Sequence, residues 1–440
     1  MKPTIAADFV TPFTPLCRYA SYTVAAAVAL CLAIPSGYSY APALLSLCSF
    51  PILLIKRPHL RLERSDWLLI ATLLFYLVVS ASISAYHHLP SSSFEEPSRF
   101  LLTIPVLLFL LAYPPRESYW WGALIVGTLA GGAMALWQMF VEDRVRAGGF
   151  MNPIQFGNLS LLMGGLCLTG IGWARQQRHA TLWWVALAVA ALAGAVASLV
   201  SGARGGWLAL PIMLVLLYLG YRRYLPKRTL ALALAVLAVG LVVLYFTPQT
   251  GVQARIDRAV DDYQDYSAGV RMNSSVGMRL EMWNAGTRLA VQKPMLGWGE
   301  SAYGQKLTGM IDDDRSRVII SHYDHVHSDS LDAFLRRGLL GLFALLLVYA
   351  VPFTLFARKF LRGGVGDTYA VAGMILVASI ATFGLTQAFF RHNSGVTVYL
   401  FYLVVLWAYL RAAEQRTVAS YVKGANADGS ASALAGERLE

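Results

Sequence analysis

Apolar residues in this chain follow neither the helical nor the strand period; they fill whole windows of 18 to 22 residues. Backbone groups in such windows have no polar neighbours, so only a helix that bonds them internally can form there and cross a membrane. Twelve spans are predicted, at 19–34, 38–55, 67–86, 98–113, 119–141, 154–173, 182–200, 204–220, 229–247, 332–356, 368–390 and 395–411. Pro35, Pro114, Pro115, Pro153 and Pro248 fall at or beside their ends, where a missing donor does least harm. The first window lacks a small-residue cleavage site after a short apolar core, so it reads as a retained span and not a signal peptide.

Composition agrees: 57% of the 440 residues are hydrophobic and 14% charged, well below the ~25% charged of soluble domains. The expected fold is therefore all-α, a polytopic membrane protein of about twelve transmembrane helices. It divides into a nine-helix part (1–247), one large, largely helical outside loop (248–330), three further helices (331–412) and a disordered tail (413–440).

Lys and Arg orient this bundle. With the N-terminus inside, twenty of them fall on inside segments, against only Arg99, Arg144, Arg146, Arg204 and Arg391 in the short outside loops. That bias puts both termini in the cytoplasm, and it accounts for the net charge of +11 without a nucleic-acid partner. The cysteines, Cys17, Cys31, Cys48 and Cys167, lie in or beside apolar segments and show neither a zinc spacing nor a redox pair. No internal repeat is visible, and the halves differ in loop lengths, unlike an inverted-repeat transporter.

Candidate chemistry collects on the outside face. Between the fifth and sixth spans, Glu142, Asp143, Arg144 and Arg146 precede a glycine-rich entry with Asn152 and Gln155, which reads either as a solvated interface or as a contact for a headgroup or sugar. After the seventh span, Ser201–Gly202–Ala203–Arg204–Gly205–Gly206 holds an arginine at the apolar boundary. Such a charge either snorkels to lipid phosphate or meets an anionic ligand that the glycines let come close. In the large loop, Met278, Met282, Ala285 and Leu289 recur at helical spacing, and Pro294 and Gly297 end that helix. Arg279 and Trp283 share one of its faces, suited to an anion beside a sugar or isoprenoid, or to packing alone.

The loop ends in His322, His325 and His327, then runs straight into the tenth span, which brings titratable groups to the membrane surface on the side of Arg204 and Arg279. Neither these histidines nor Asp312, Asp313 and Asp314 reproduce a zinc or calcium spacing, so no metal site is expected. Polar groups gathered on one face, and not strung through the spans, favour an enzyme over a transporter.

His327, Ser328 and Leu331 followed by Gly338 and Gly341 resemble the histidine, small polar residue, leucine and paired glycines of bacterial O-antigen ligases and the related polymerases. The Arg204 turn and the Arg279, Trp283, Pro294, Gly297 series are similar to that family's short arginine loop and large periplasmic loop. The resemblance covers nearly the whole chain. It implies an enzyme of the inner membrane, periplasmic in its active site, that moves a glycan from undecaprenyl pyrophosphate to a sugar hydroxyl of lipid A-core without metal, nucleotide or other cofactor. Polymerases and protein O-oligosaccharyltransferases of the same superfamily would differ in the acceptor.

On this reading His327 is the general base, and Arg204, Arg279 and Arg391 hold the pyrophosphate. His322, Trp283 and Arg146 are secondary candidates.

Overall fold

In a computed structural model, described for residues 14–222, 224–228, 246, 252–270, 274–311, 314–323, 325–364 and 366–427, the chain is helical, with no strand among the described residues. Its membrane helices are α1 (Pro15–Ala29), α2 (Gly37–Lys56), α3 (Arg64–Tyr86), α4 (Glu95–Ala112), α5 (Glu117–Phe140), α6 (Pro153–Ala174), α7 (Ala180–Ser201) and α8 (Ala209–Tyr221). Four extramembrane helices follow: α9 (Val252–Ser267), α10 (Ser275–Ala290), α11 (Glu300–Thr308) and α12 (Asp314–Ile320). The chain then returns through α13 (Asp329–Arg362), α14 (Asp367–Phe383) and α15 (Asn393–Ala427). Eleven predicted spans correspond to these helices, and the ninth, 229–247, lies outside the described residues except for Phe246. Among the described residues, eight helical segments are long and apolar enough to cross a bilayer by themselves, and the chain is an integral membrane protein.

Polar residues gather at the two ends of the bundle. At the end of the predicted inside loops, Arg411 binds Glu63 (2.6 Å), Asp66 (3.2 Å) and Glu414 (2.9 Å), while Lys359 binds Glu63 (3.2 Å) and Glu414 (2.8 Å). These pairs tie the start of α3 to the end of α13 and to the second half of α15. They also correct the expected tail: residues 413–427 continue α15, because Glu414 and Arg416 pair with Lys359 and Glu117, and 428–440 lie outside the described residues.

At the other end the extramembrane helices have their own apolar core. Met282, Ala285 and Leu289 of α10 pack with Tyr303, Leu307, Ile320 and Val326, as their spacing predicts. This unit is docked onto a break in α13. Gly338 there has φ 64°, ψ −163°, and the interrupted ladder exposes backbone groups. Segment 294–299 takes them up: Trp298 N donates to the Leu335 carbonyl (2.8 Å), Gly299 N to that of Arg336 (3.1 Å), and Leu339 N to that of Pro294 (2.7 Å). The motif glycines serve this crossing, for a Cβ at Gly338 would collide with the Met295 carbonyl and one at Gly297 would stand 2.6 Å from the Arg336 carbonyl carbon. Gly338→Ala is therefore expected to destabilise the fold by about 1–3 kcal/mol, its φ/ψ being open only to glycine. Gly304→Ala, where a Cβ meets nothing within 4 Å, is the control. Thermal unfolding of the purified variants should place Gly338→Ala below wild type and Gly304→Ala at or above it.

Inside the break, Arg336 and Arg337 are buried. Arg337 grips Glu96 with both Nη atoms (3.2 and 2.9 Å) and touches the Tyr76 hydroxyl (2.8 Å), and Arg336 pairs with Asp332 (2.7 Å). Paired charges of this kind fix helix register, and loss of one partner would strand the other.

Helix α14 stops short of the predicted 368–390 span, at Phe383. Asp329 draws the chain off the helix path: its N–H donates to the Gly384 carbonyl (2.8 Å) and its carboxyl accepts from Phe390 N (3.0 Å) and the Tyr349 hydroxyl (3.0 Å). The turn so formed carries Gln387.

Candidate active site

Three loops and the start of α13 converge at this end. Loop 141–152 is folded by Gln138, whose side-chain oxygen accepts from Gly148 N (3.0 Å) and Gly149 N (2.8 Å) while its amide donates to the Gly149 carbonyl (2.9 Å). The loop thereby delivers Arg146 to the C-terminus of α7, where its Nε donates to the Ser201 carbonyl (2.8 Å), the favoured place for a cation on a helix. Gly202, left-handed at φ 69°, caps α7 beside it. Gly205 and Gly206 then let the Arg204 turn press onto its neighbours: a Cβ at either would collide with Thr386 Oγ1 or Asn158 Oδ1 respectively. The arginine turn and the Gln387 turn are thus in direct contact.

From above, α10 brings Arg279. Ser274 caps this helix, accepting from Gly277 N (3.0 Å). One turn on, the Trp283 indole donates to the Val326 carbonyl (2.9 Å), holding the strand of chain that ends at His327. Arg279 and Arg146 both have lowered proton affinity, first from burial and then from neighbouring guanidiniums, Arg146 and Arg204 for the one and Arg204 for the other. Three cations therefore lie in one another's field, an arrangement suited to an anion, and Asp261, Asp262 and Asp265 of α9 line the cavity onto which Arg204 opens.

His327 stands at the edge of that field. Its backbone is left-handed (φ 52°), a conformation costing a non-glycine residue roughly 1–2 kcal/mol. The ring is held by Gln387 and by edge contacts with Tyr323 (4.9 Å) and His325 (4.5 Å). Gln387 Oε1 lies 2.6 Å from His327 Nδ1, and Gln387 Nε2 lies 2.7 Å from His392 Nε2 and 3.3 Å from His325 Nε2. One assignment satisfies all three contacts: the amide oxygen accepts from His327 Nδ1–H, and the two amide hydrogens go to His392 and His325. His327 Nε2 is then the unprotonated nitrogen. Burial, with the nearby His325, Arg279 and His392, pushes the imidazole down to about 4, against the opposing pull of the Gln387 contact. It is neutral at physiological pH, its lone pair on the nitrogen that Gln387 leaves open.

The structure unites His327, Arg204, Arg279 and Arg146, and separates three other residues. Trp283 is a support for the histidine loop. His322 is exposed at the end of α12, its Nδ1 on its own helix at the Val318 carbonyl (2.7 Å). Arg391 pairs with Glu300. Sequence reasoning missed Gln387 and the anchoring role of Asp329; a glutamine within an apparently apolar span was the available signal.

These features can be set beside known proteins. Residues 189–346 match the family model described as O-antigen ligase, a stretch that contains the Arg204 turn, Arg279, His327 and the break at Gly338. A Haemophilus influenzae protein named only as uncharacterized is 26% identical over 372 residues, 84% of this chain and 92% of that one. The Escherichia coli K12 protein named O-antigen ligase is 24% identical over 177 residues, 39% of this chain and 40% of its own length. The chain is thus similar to O-antigen ligases over the stretch that holds this site, within an all-α membrane bundle.

Proposed function

We propose that the chain transfers a glycan from undecaprenyl pyrophosphate to a sugar hydroxyl of lipid A-core, at the periplasmic face of the inner membrane, with both termini cytoplasmic. The observation that carries this reading is a neutral, Gln387-held His327 beside a cluster of three arginines. Arg146, Arg204 and Arg279 hold the pyrophosphate, whose charge grows as it departs, and their fixed forks replace a metal in this role. The acceptor oxygen attacks the anomeric carbon as the bond to the pyrophosphate oxygen breaks. The hydroxyl proton passes to His327 Nε2 and the bonding electrons leave with the pyrophosphate. Negative charge developing nearby raises the imidazole's proton affinity as it takes the proton. One displacement of this kind inverts the anomeric configuration.

The decisive experiment incubates purified protein with an undecaprenyl-pyrophosphate-linked glycan and lipid A-core in EDTA. Glycan on lipid A-core is the expected product. Lengthening of the donor glycan, with lipid A-core untouched, would make the protein a polymerase.

A pH profile tests the state of His327. A base held near 4 stays unprotonated well below neutrality and is lost only as the pH falls through that value. Between pH 7 and 5, kcat/KM should change by less than about twofold, whereas a histidine titrating at about 6.5 would lose roughly 25-fold.

A further inference from the structure

The ring of His392 stands against the Gln387 amide, on the branch that does not meet His327. It is firmly placed there. His392 directly precedes α15, and its carbonyl accepts from Gly395 N (3.0 Å) and Val396 N (3.3 Å), the first bonds of that helix. Its Nε2 lies 2.7 Å from Gln387 Nε2, and His325, whose ring meets that of His392 edge-on at 5.4 Å, adds its own Nε2 at 3.3 Å.

A carboxamide is nearly symmetric in shape, so packing alone does not decide which branch is oxygen; hydrogen bonding does. Gln387 is 1% exposed, where an amide hydrogen without an acceptor is costly. The branch with two imidazole neighbours places both hydrogens if it is the nitrogen. Turned over, the nitrogen would face His327 alone and one hydrogen would be orphaned, a bias of about 10- to 100-fold in population. His327 does not set the choice itself, because its Nδ1 donates or accepts according to the tautomer. We infer that His392, with His325 beside it, is a positioning residue that acts through Gln387. Its Nε2 lone pair holds the amide nitrogen, the amide oxygen is thereby turned to His327, and the His327 proton is confined to Nδ1. The reversed amide would put that proton on Nε2 and leave no base facing the acceptor. The value of the bare nitrogen rests on the glycan-transfer reading; the chain of hydrogen bonds does not.

The first test needs no substrate. Nuclear magnetic resonance of the full-length protein in lipid nanodiscs, isotope-labelled at its histidine ring nitrogens, separates protonated from bare nitrogens at neutral pH, and His327→Ala identifies the His327 signals. His327 should carry its proton on Nδ1 alone; a protonated Nε2 in wild type overturns the inference. His392→Leu removes one acceptor, so His327 should then show both tautomers, and an unaltered spectrum in that variant also overturns it. Transfer kinetics give the second test. Lysine has donors and no acceptor, so His392→Lys should draw the amide oxygen to itself, move the His327 proton to Nε2 and lower kcat about 10- to 100-fold, with donor Kd within about threefold of wild type. Adding Gln387→Glu supplies a carboxylate that accepts from the lysine and from His327 Nδ1–H together, and should restore kcat to within about tenfold of wild type. Wild-type kcat in a folded His392→Lys, or a double variant no better than the single one, would contradict the inference; should His392→Lys fail to fold, the His392→Leu spectrum carries the test. No transfer by wild type would sink the glycan-transfer reading, while the tautomer measurement would still decide the positioning role.

Discussion

His327→Ala should lower transfer by about 100 to 10,000-fold in kcat, the range that a positioned general base contributes. The expectation follows from what the ring does in place. Gln387 Oε1 fixes Nδ1 as the protonated nitrogen, so the substitution removes the one lone pair directed by the network. Melting should change little, since the side chain's other contacts are ring edges that Tyr323 and His325 provide at 4.9 and 4.5 Å. The left-handed backbone at His327 stays strained in any substitution except glycine, so His327→Gly adds a check: equally inactive, and free of that backbone strain. Retained full activity in His327→Ala would end the assignment of this residue as base.

Arg279→Ala and Arg204→Ala should each lower kcat/KM by about 100 to 1,000-fold, as loss of one preorganised donor to a developing anion does. Each should also weaken donor binding, because the pyrophosphate is charged before the bond breaks. Arg279→Lys should recover only part of the loss, since an ammonium replaces a fork with a point charge. Arg391→Ala serves as a contrast. Its guanidinium is taken by Glu300, so its loss should act on stability more than on donor affinity. Steady-state kinetics with titrated donor distinguish these patterns, and a donor KM unchanged in Arg279→Ala and Arg204→Ala would refute the anion site.

Much of this was legible in the sequence, because the bilayer forces it. Apolar windows can only be helices, and the Lys and Arg asymmetry sorted the loops that the structure gathers at each end. Arg204, Arg279, Arg146 and His327 stood out as polar residues at apolar boundaries. What stayed hidden depends on contacts remote in sequence. Gln387 meets His327 across 60 positions and lay inside an apparently continuous span. The end of α14 at Phe383 is dictated by Asp329, whose bonds to the Gly384–Phe390 turn no local pattern encodes. Arg336 and Arg337 stand in the turn after the histidine motif, yet both are buried against carboxylates, Glu96 lying some 240 residues away. Arg391 was read as a donor ligand from its side of the membrane alone; which anion it would meet required the position of Glu300.

The division of labour between the imidazole and the arginines is the central claim, and donor affinity measured on His327→Ala tests it most directly. Titration of the purified variant with undecaprenyl-pyrophosphate-linked glycan should give a Kd within about threefold of wild type, a difference under 1 kcal/mol, while transfer is lost. A Kd raised in proportion to the lost activity would contradict the account, making His327 a ligand of the pyrophosphate and leaving the base to be found elsewhere.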